Sequence, residues 1–201
     1  MHRTKRKIFE KSMELFASKG YDRTSIEEIT SVVGIAKGTL YHHFSNKEEI
    51  LKFLIEEGMK LLKNNIEIKT ANLESSIEKI KAIILIQIKV SLKYEDFIAL
   101  ILSQLWGKEK RNEACRNCII EYTDIIERIV KEGIEKKEIQ KGDTGAIAYG
   151  IFTVITSSMI YKQNKNKDVD ARKLYNEFCR YIIDGLRKNK NKSNDKDKNE
   201  T

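Results

Sequence analysis

The sequence predicts an all-α protein of about nine helices, and three observations lead to this fold class. The 201 residues include no proline and only ten glycines, whereas turn-rich β folds generally use more of both. Apolar residues recur at helical spacings of three and four, and no stretch alternates in the way that a half-buried strand would. Hydrophobic residues make up 40% of the chain, which is ordinary for a folded protein with a real core.

The first helix is predicted over residues 3–19. Its apolar face carries Ile8, Leu15 and Phe16, and Gly20 is suited to end it. The helix opens with a basic cluster. This cluster consists of Arg3, Lys5, Arg6, Lys7 and Lys11, opposed by Glu10. Such a helix start could lie along phosphates or be a solvated end, and the sequence leaves both interpretations open.

Two short helices follow, joined by a tight turn. Ser25–Glu28 has the pattern of a capping box, and the helix that it opens is expected to stop at Gly34. A second short helix is predicted from about Ala36 to His42. This arrangement is typical of a helix-turn-helix, in which the second helix enters the major groove of DNA. No acidic residue occurs from Ile29 to Lys47, which favours an approach to phosphates.

The remaining helices are predicted from apolar stripes and capping residues. A second capping box at Ser45–Glu48 is expected to open a fourth helix over residues 46–64, with Ile50, Leu54 and Leu61 buried. Two further stripes predict two long helices, with a short apolar segment at 97–102 between them. These stripes are Leu73, Ile77, Ile80, Ile84 and Ile88, and then Cys118, Ile119, Tyr122, Ile126 and Ile129, the latter closing at Gly133.

The end of the chain combines two helices and a polar tail. Asp143 is expected to cap the uncharged stretch Thr144–Tyr161, whose hydroxyl side chains favour a buried helix over a membrane span. Asp168 or Asp170 is expected to open a final helix over residues 170–187. Residues 188–201 contain no apolar side chain and are predicted to be disordered.

Charge and cysteine content narrow the class of function. The net charge of +8 suggests an anionic partner, nucleic acid first, although 30 acidic residues offset 38 basic ones. Three cysteines and a start that does not resemble a signal peptide favour the cytoplasm. No arrangement of nucleophile and base, paired carboxylates or phosphate-binding loop is evident, so we expect neither an enzyme nor a cofactor nor a metal.

Residues 34–44, Gly-Ile-Ala-Lys-Gly-Thr-Leu-Tyr-His-His-Phe, resemble the TetR/AcrR family of bacterial transcriptional regulators. The likeness extends from about Ile8 to Leu54, a quarter of the chain. It implies a DNA-binding domain over residues 1–47 and a ligand-binding and dimerisation domain over 48–187, with the fourth helix shared as a linker. The function that it implies is a repressor, released from a near-palindromic operator by a small molecule bound in the C-terminal helices.

The resemblance also implies which side chains meet double-stranded DNA. Base-edge and backbone contacts are expected at the start of the recognition helix, and phosphate contacts at its end and at the next helix. The predicted DNA-binding residues are Ser25, Lys37, Gly38, Thr39, Tyr41, His42, His43 and Lys47. Leu40 and Phe44 are expected to point inward. One departure is Ala36, since many members carry serine or threonine there and alanine forgoes a cap worth about 0.5–2 kcal/mol.

The effector site is predicted from polar and aromatic residues within the apolar C-terminal stripes. An internal cavity would be lined mostly by aliphatic groups, with a few polar side chains fixing the orientation of the ligand. The predicted set is Gln87, Gln104, Trp106, Tyr122, Phe152 and Thr156. For each polar member, a hydrogen bond to a backbone carbonyl or a position facing solvent remains an alternative.

The last two helices are predicted to form a homodimer interface, and a cysteine pair leaves an alternative function open. The resemblance implies that helices 144–161 and 170–187 pair with their symmetry mates in a homodimer, which lets two recognition helices read one operator. Cys115 and Cys118 would be neighbours on one helical face. They leave open an alternative function on the same scaffold, a thiol- or metal-responsive regulator.

Overall fold

The computed structural model describes residues 3–165 and 169–187, and among these residues it contains α-helices but no β-strand, only one isolated bridge between Ile139 and Arg187. The all-α prediction is therefore confirmed for the described residues. In chain order the helices are α1 (Arg3–Lys19), α2 (Ile26–Val33), α3 (Lys37–His43), α4 (Lys47–Thr70), α5 (Ser76–Lys93), α6 (Glu95–Leu105), α7 (Glu113–Glu135), α8 (Thr144–Phe152), α9 (Val154–Lys165) and α10 (Ala171–Leu186). A short 3-10 turn, Lys110–Asn112, precedes α7.

The described chain has ten α-helices where about nine were expected, because the predicted helix at 144–161 is divided at Thr153. The backbone of Thr153 stays in the helical region (φ −63°, ψ −13°). Its hydroxyl donates to the carbonyl of Gly150 at 2.7 Å, a bond of the kind that often bends a helix. α8 and α9 together, Thr144–Lys165, are long and apolar enough to cross a membrane by length and composition alone.

The capping residues of α2, α8 and α10 are confirmed. Ser25 and Glu28 form the reciprocal capping box of α2, and Gly34 ends that helix in the left-handed conformation, with φ at +74°. Asp143 caps α8 through the N–H of Ala146, and Asp170 caps α10. The other candidate for that role, Asp168, and the tail over 188–201 lie outside the described residues.

Two predicted details of α4 are wrong by one residue. The cap is Asn46, whose Oδ1 accepts from the N–H of Glu49 at 2.8 Å, while the Glu49 carboxylate accepts from the N–H of Ser45. The buried position is Leu62, at 4% exposure, whereas Leu61 is 60% exposed. Adjacent leucines lie about 100° apart around a helix, so the sequence could not decide which one faces inward. α4 also runs on to Thr70, beyond the predicted end at 64.

Gly133 does not end α7, which continues to Glu135. The chain instead turns at Lys137, which has a φ of 61°. A Cβ at Gly133 would overlap the side chain of Ile139, so this glycine serves close packing.

Packing divides the chain into two compact units. The first comprises the residues up to Glu67 together with Val90–Tyr122, and the second comprises Ile68–Lys89 and the residues from Thr123 onward. The core of the first unit includes Ile8, Phe16 and Leu40, and the core of the second includes Ile80 and Ile126. The division into functional domains at residue 47 stays a prediction.

Candidate DNA-binding surface

α3 is held against the first unit by its two apolar residues. Leu40 is fully buried, and Phe44, the residue that ends the helix, is 4% exposed. The ring of Phe44 packs on Phe53 of α4, with 5.1 Å between centroids, and Phe53 in turn packs on Phe9 of α1 at 6.2 Å. The inward orientation expected for Leu40 and Phe44 is confirmed by this burial.

The opposite face of α3 is open. Lys37, Gly38, Thr39 and His42 are exposed, Tyr41 is 47% exposed, and His43 is half-buried. The structure therefore brings the predicted contacts of α3 together on one short helix. Ser25, at the start of α2, is also exposed, although its hydroxyl already accepts a bond from the N–H of Glu28 at 3.1 Å.

Gly38 has no structural requirement within the described chain. Its φ lies outside the left-handed region, and a Cβ built on it would meet nothing within 4 Å. Glycine in a helix interior costs about 1 kcal/mol relative to alanine. A bare backbone at this exposed position is useful if another molecule approaches it closely.

The missing side-chain cap of α3 is confirmed. Ala36 has the extended backbone of an N-cap residue, and this position supplies no side-chain hydrogen bond to cap the helix. The helix is positioned instead by the burial of Leu40 and Phe44.

Lys37 is held by an ion pair that the sequence did not reveal. Its ammonium contacts the carboxylate of Glu27, on α2, and both side chains are about half exposed or more. The hydrogen bond between them raises the pKa of Lys37 and lowers the pKa of Glu27. The lysine is therefore charged, and DNA must compete with Glu27 for it.

The phosphate contact of Lys47 stays a prediction, and in this structure its ammonium is occupied by the protein's own backbone. Its ammonium donates to the backbone carbonyls of Tyr21 and Thr24 at 2.9 Å each, and to that of Asp22 at 3.4 Å. It also lies over the Tyr21 ring, 4.4 Å from the centroid. All three ammonium hydrogens are engaged, so in this structure Lys47 stabilises the loop between α1 and α2.

The Tyr21 ring is also contacted by Arg111, from the turn before α7. The guanidinium lies 4.5 Å from the ring centroid and makes two bonds to the carboxylate of Asp22, at 2.7 and 3.3 Å. Burial, followed by the nearby charge of Glu48, raises the pKa of Tyr21. Two cations, Lys47 and Arg111, thus contact one tyrosine ring in the loop that leads into the helix-turn-helix.

The six predicted effector residues do not have one common environment. Gln87 and Tyr122 are fully buried and Phe152 is 8% exposed, but Trp106 is 84% exposed and so lines no enclosed pocket. The amide of Gln104 is already bonded, to Asn112 at 2.8 Å and to Ser103 at 3.0 Å.

Thr156, the last of the six, is half-buried. Its hydroxyl donates to the carbonyl of Thr153 at 2.8 Å. This is the backbone alternative that the sequence left open for each polar member of the set.

The cysteine pair is poorly suited to sensing. Cys115 is fully buried, with its thiol directed at the carbonyl of Ile101, and Cys118 is 8% exposed. Burial raises the pKa of Cys115 to about 12 and also raises that of Cys118. Reaction and metal binding both require the thiolate. Within the described residues, no group of three or more His, Cys, Asp or Glu side chains could hold a metal ion.

These features define a helix-turn-helix DNA-binding protein, and comparison with known proteins gives its family. The family profile "Bacterial regulatory proteins, tetR family" matches residues 8–54. The fatty acid metabolism regulator protein of Bacillus subtilis (strain 168) is 28% identical over 183 residues, covering 89% of this chain and 93% of that one.

Solved structures agree with this family. A fatty acid metabolism regulator of Clostridium perfringens superposes with a TM-score of 0.84 at 37% identity, covering 90% of this chain and 98% of that one. The transcriptional regulator FadR of Bacillus subtilis, solved with stearoyl-CoA, has a TM-score of 0.79 at 24% identity, covering 90% and 98% of the two chains. The chain belongs to the TetR family and is a DNA-binding transcriptional regulator.

Proposed function

We propose that this protein is a homodimeric repressor that binds a near-palindromic operator through α3 and is released from it by a fatty acyl-CoA. The observation that carries the DNA-binding part is the open face of α3 on a buried Leu40–Phe44 anchor. A rigid helix with exposed donors at its start is what major-groove recognition requires.

The direct contacts that we propose are fewer than those first predicted. Lys37, Gly38 and Thr39 begin α3 and approach base edges and backbone, while Tyr41 and the two histidines continue along the helix to phosphates or bases. Ser25 adds a backbone contact at the start of α2. Lys47 is left out, because its ammonium is occupied by the loop after α1.

The dimer is proposed to form through α8, α9 and α10. These helices expose large apolar side chains, among them Tyr149 (49%), Ile160 (54%) and Tyr181 (69%). Gly150 and Gly185 have open space where a Cβ would stand, as suits a close approach of a second copy. A twofold interface would cover this surface, and it explains the apolar stretch Thr144–Lys165 without a membrane. We place the protein in the cytoplasm, acting without catalysis.

The effector class is proposed from the relatives. Two relatives that match over nearly their whole length are described as regulators of fatty acid metabolism, and one protein of the same fold was solved with stearoyl-CoA. A fatty acyl-CoA would favour a conformation in which the two α3 helices no longer match the operator spacing. It can do so only by its difference in affinity for the two conformations.

The DNA-binding proposal is tested by in vitro selection of bound DNA, followed by affinity measurements on the selected operator. Lys37→Ala should weaken binding to all sequences and reduce the salt slope by about one, and Tyr41→Ala should also weaken binding. Lys52→Ala, on the exposed side of α4, is the matched control and should bind like the wild type. Full operator affinity in both α3 variants would overturn the proposal.

The effector proposal is tested by adding acyl-CoA to the protein–operator complex. Stearoyl-CoA should dissociate the complex, whereas free coenzyme A at the same concentration should not. Dissociation by oxidant or divalent metal instead would favour the thiol-based alternative, which the buried, protonated cysteines disfavour.

A further inference from the structure

A cavity of about 300 Å³ lies within the first unit, between α1, α4 and the junction of α5 and α6. From α1 it is lined by Phe9 and Met13, and from the α5–α6 junction by Val90, Tyr94 and Phe97. Apolar side chains dominate these walls. None of the six residues predicted from sequence as effector contacts lines it.

The α4 wall contains a close contact between a glycine and an aromatic ring. A Cβ on Gly58 would overlap the ring of Phe97, so the glycine lets α6 place that ring directly against α4. Leu61 and Leu62 flank this contact, and Asn65, an exposed residue, adds one amide. A helix-interior glycine in α4 was the one sequence signal that could have indicated this site.

The size and polarity of the cavity fit an alkyl chain. It has roughly twice the volume of the ~150 Å³ apolar cavity that holds one benzene, which corresponds to about ten to twelve carbon atoms. Its mouth is marked by Leu61 and Tyr94, 60% and 47% exposed. The Lys93 ammonium lies 5.1 Å from the Tyr94 ring, so a cation stands at the opening, where an anionic head group would remain in water.

A line of aromatic rings connects this cavity to the recognition helix. Phe9 lines the cavity and packs edge-on against Phe53, at 6.2 Å between centroids. Phe53 packs on Phe44 at 5.1 Å, and Phe44 is the residue at which α3 ends. A ligand that moves Phe9 therefore presses, through two ring contacts, on the helix that reads DNA.

We propose that this cavity binds the distal ten to twelve carbons of the fatty-acyl effector, and that the Phe9–Phe53–Phe44 contacts transmit its presence to α3. The inference rests on the acyl-CoA effector proposed above. It adds the place where the acyl chain binds and the number of its carbon atoms that the cavity holds. It also adds the contacts through which binding affects the DNA-binding surface.

The first test is a chain-length series of saturated acyl-CoAs, from four to eighteen carbons, binding to the DNA-free protein in a calorimeter. Each buried methylene should tighten binding about fourfold until the chain reaches about ten to twelve carbons, after which the dissociation constant should level off. A dissociation constant that does not change with chain length would overturn the proposal.

The second test places a bulky group at the mouth. Leu61→Trp should raise the dissociation constant for dodecanoyl-CoA at least tenfold. Ile68→Trp, a 73% exposed position of the same helix outside the cavity, is the matched control and should leave it within twofold. Equal binding by both variants would mean that the acyl chain binds elsewhere, and would overturn the proposed cavity site. Release of the operator by acyl-CoA would in that case still support the proposed effector class.

The third test separates binding from transmission. Phe53 does not line the cavity, so Phe53→Leu should bind dodecanoyl-CoA like the wild type yet require several times more of it to release the operator. Release at the wild-type concentration would overturn the aromatic route.

Dodecanoate without coenzyme A serves as a further probe. If neither dodecanoate nor dodecanoyl-CoA binds the wild type, the cavity proposal fails, whereas the DNA-binding proposal is unaffected.

Discussion

Two lysines at the ends of the recognition segment are held by different partners, and this determines what each can offer to DNA. Lys37 pairs with an exposed carboxylate, that of Glu27, which another anion can replace. Lys47 is partly buried, and its ammonium donates to the backbone carbonyls of Tyr21 and Thr24 in the preceding loop. Exposed pairs exchange partners at little cost, whereas a buried acceptor left without its donor is expensive.

Lys47→Ala should therefore reduce stability, because it removes the ammonium donor from the partly buried carbonyls of Thr24 and Tyr21, and the Tyr21 carbonyl keeps only the long bond from the N–H of Thr24, at 3.3 Å. We expect the free energy of unfolding to fall by about 1–3 kcal/mol, measured by denaturant titration. Lys52→Ala on the same helix should change it by less than about 0.5 kcal/mol. A Lys47→Ala protein with wild-type stability and a salt slope reduced by one would show that Lys47 is a phosphate ligand after all.

Glu27→Gln should tighten operator binding severalfold, since it removes the carboxylate that competes with phosphate for Lys37. The readout is operator affinity by fluorescence anisotropy, with Glu10→Gln in α1 as a control of equal charge change. Because the pair with Lys37 lowers the pKa of Glu27, the wild-type carboxylate stays ionised at neutral pH and the competition is always present. Unchanged affinity in Glu27→Gln would mean that Lys37 does not approach the DNA.

At the scale of elements, the loop between α1 and α2 is where the helix-turn-helix is fixed to the rest of the first unit. Arg111, from the turn before α7, binds Asp22 through two hydrogen bonds and covers Tyr21. Lys47, from α4, lies over the same ring. Two separate elements thus converge on Tyr21 and Asp22, in the loop before α2.

A double-mutant cycle on Arg111→Ala and Asp22→Asn should give a coupling energy of about 0.5–1 kcal/mol in unfolding free energy. The value is kept low because Asp22 is 74% exposed and water screens the pair. Arg6 and Glu10, an exposed pair within α1, should couple by less than about 0.5 kcal/mol. No coupling between Arg111 and Asp22 would show that this ion pair does not help to hold the loop, and would leave the contacts of Lys47 and Arg111 with Tyr21.

Elements were predictable from sequence where the determining interaction is local. The Ser25–Glu28 box, Gly20, Gly34 and Asp143 act within four residues of the helix ends that they define, so composition and spacing reveal them. The contacts of Lys47 and Arg111 span about 25 and 89 residues, and no periodicity encodes such pairs.

The candidate sites also differ in how far they could be predicted from sequence. The exposed face of α3 lies opposite Leu40 and Phe44, and its polar residues could be chosen because residues 34–44 resemble the TetR family. The cavity could not, because it depends on how Phe97 meets Gly58 across two helices. Choosing polar residues in apolar stripes instead selected Gln104, whose amide is satisfied within the protein, and Trp106, which is exposed.

At the scale of the whole molecule, one α3 reads too few base pairs for useful specificity, so function depends on a dimer. Tyr181→Glu, at a 69% exposed position of α10, should place two charges in the proposed interface and shift the protein toward monomer. Sedimentation velocity would measure the shift, and operator affinity should fall with it. Ile68→Glu, 73% exposed on α4, is the control that should remain dimeric. A dimeric Tyr181→Glu protein would place the interface elsewhere.

The central claim, that DNA binding by α3 is switched by an acyl chain, is tested most directly by one titration. The selected operator is titrated with protein by fluorescence anisotropy, alone, with free coenzyme A and with saturating stearoyl-CoA. The account predicts an apparent dissociation constant that stearoyl-CoA raises about five- to 150-fold and that coenzyme A leaves unchanged. The same dissociation constant under all three conditions would contradict it.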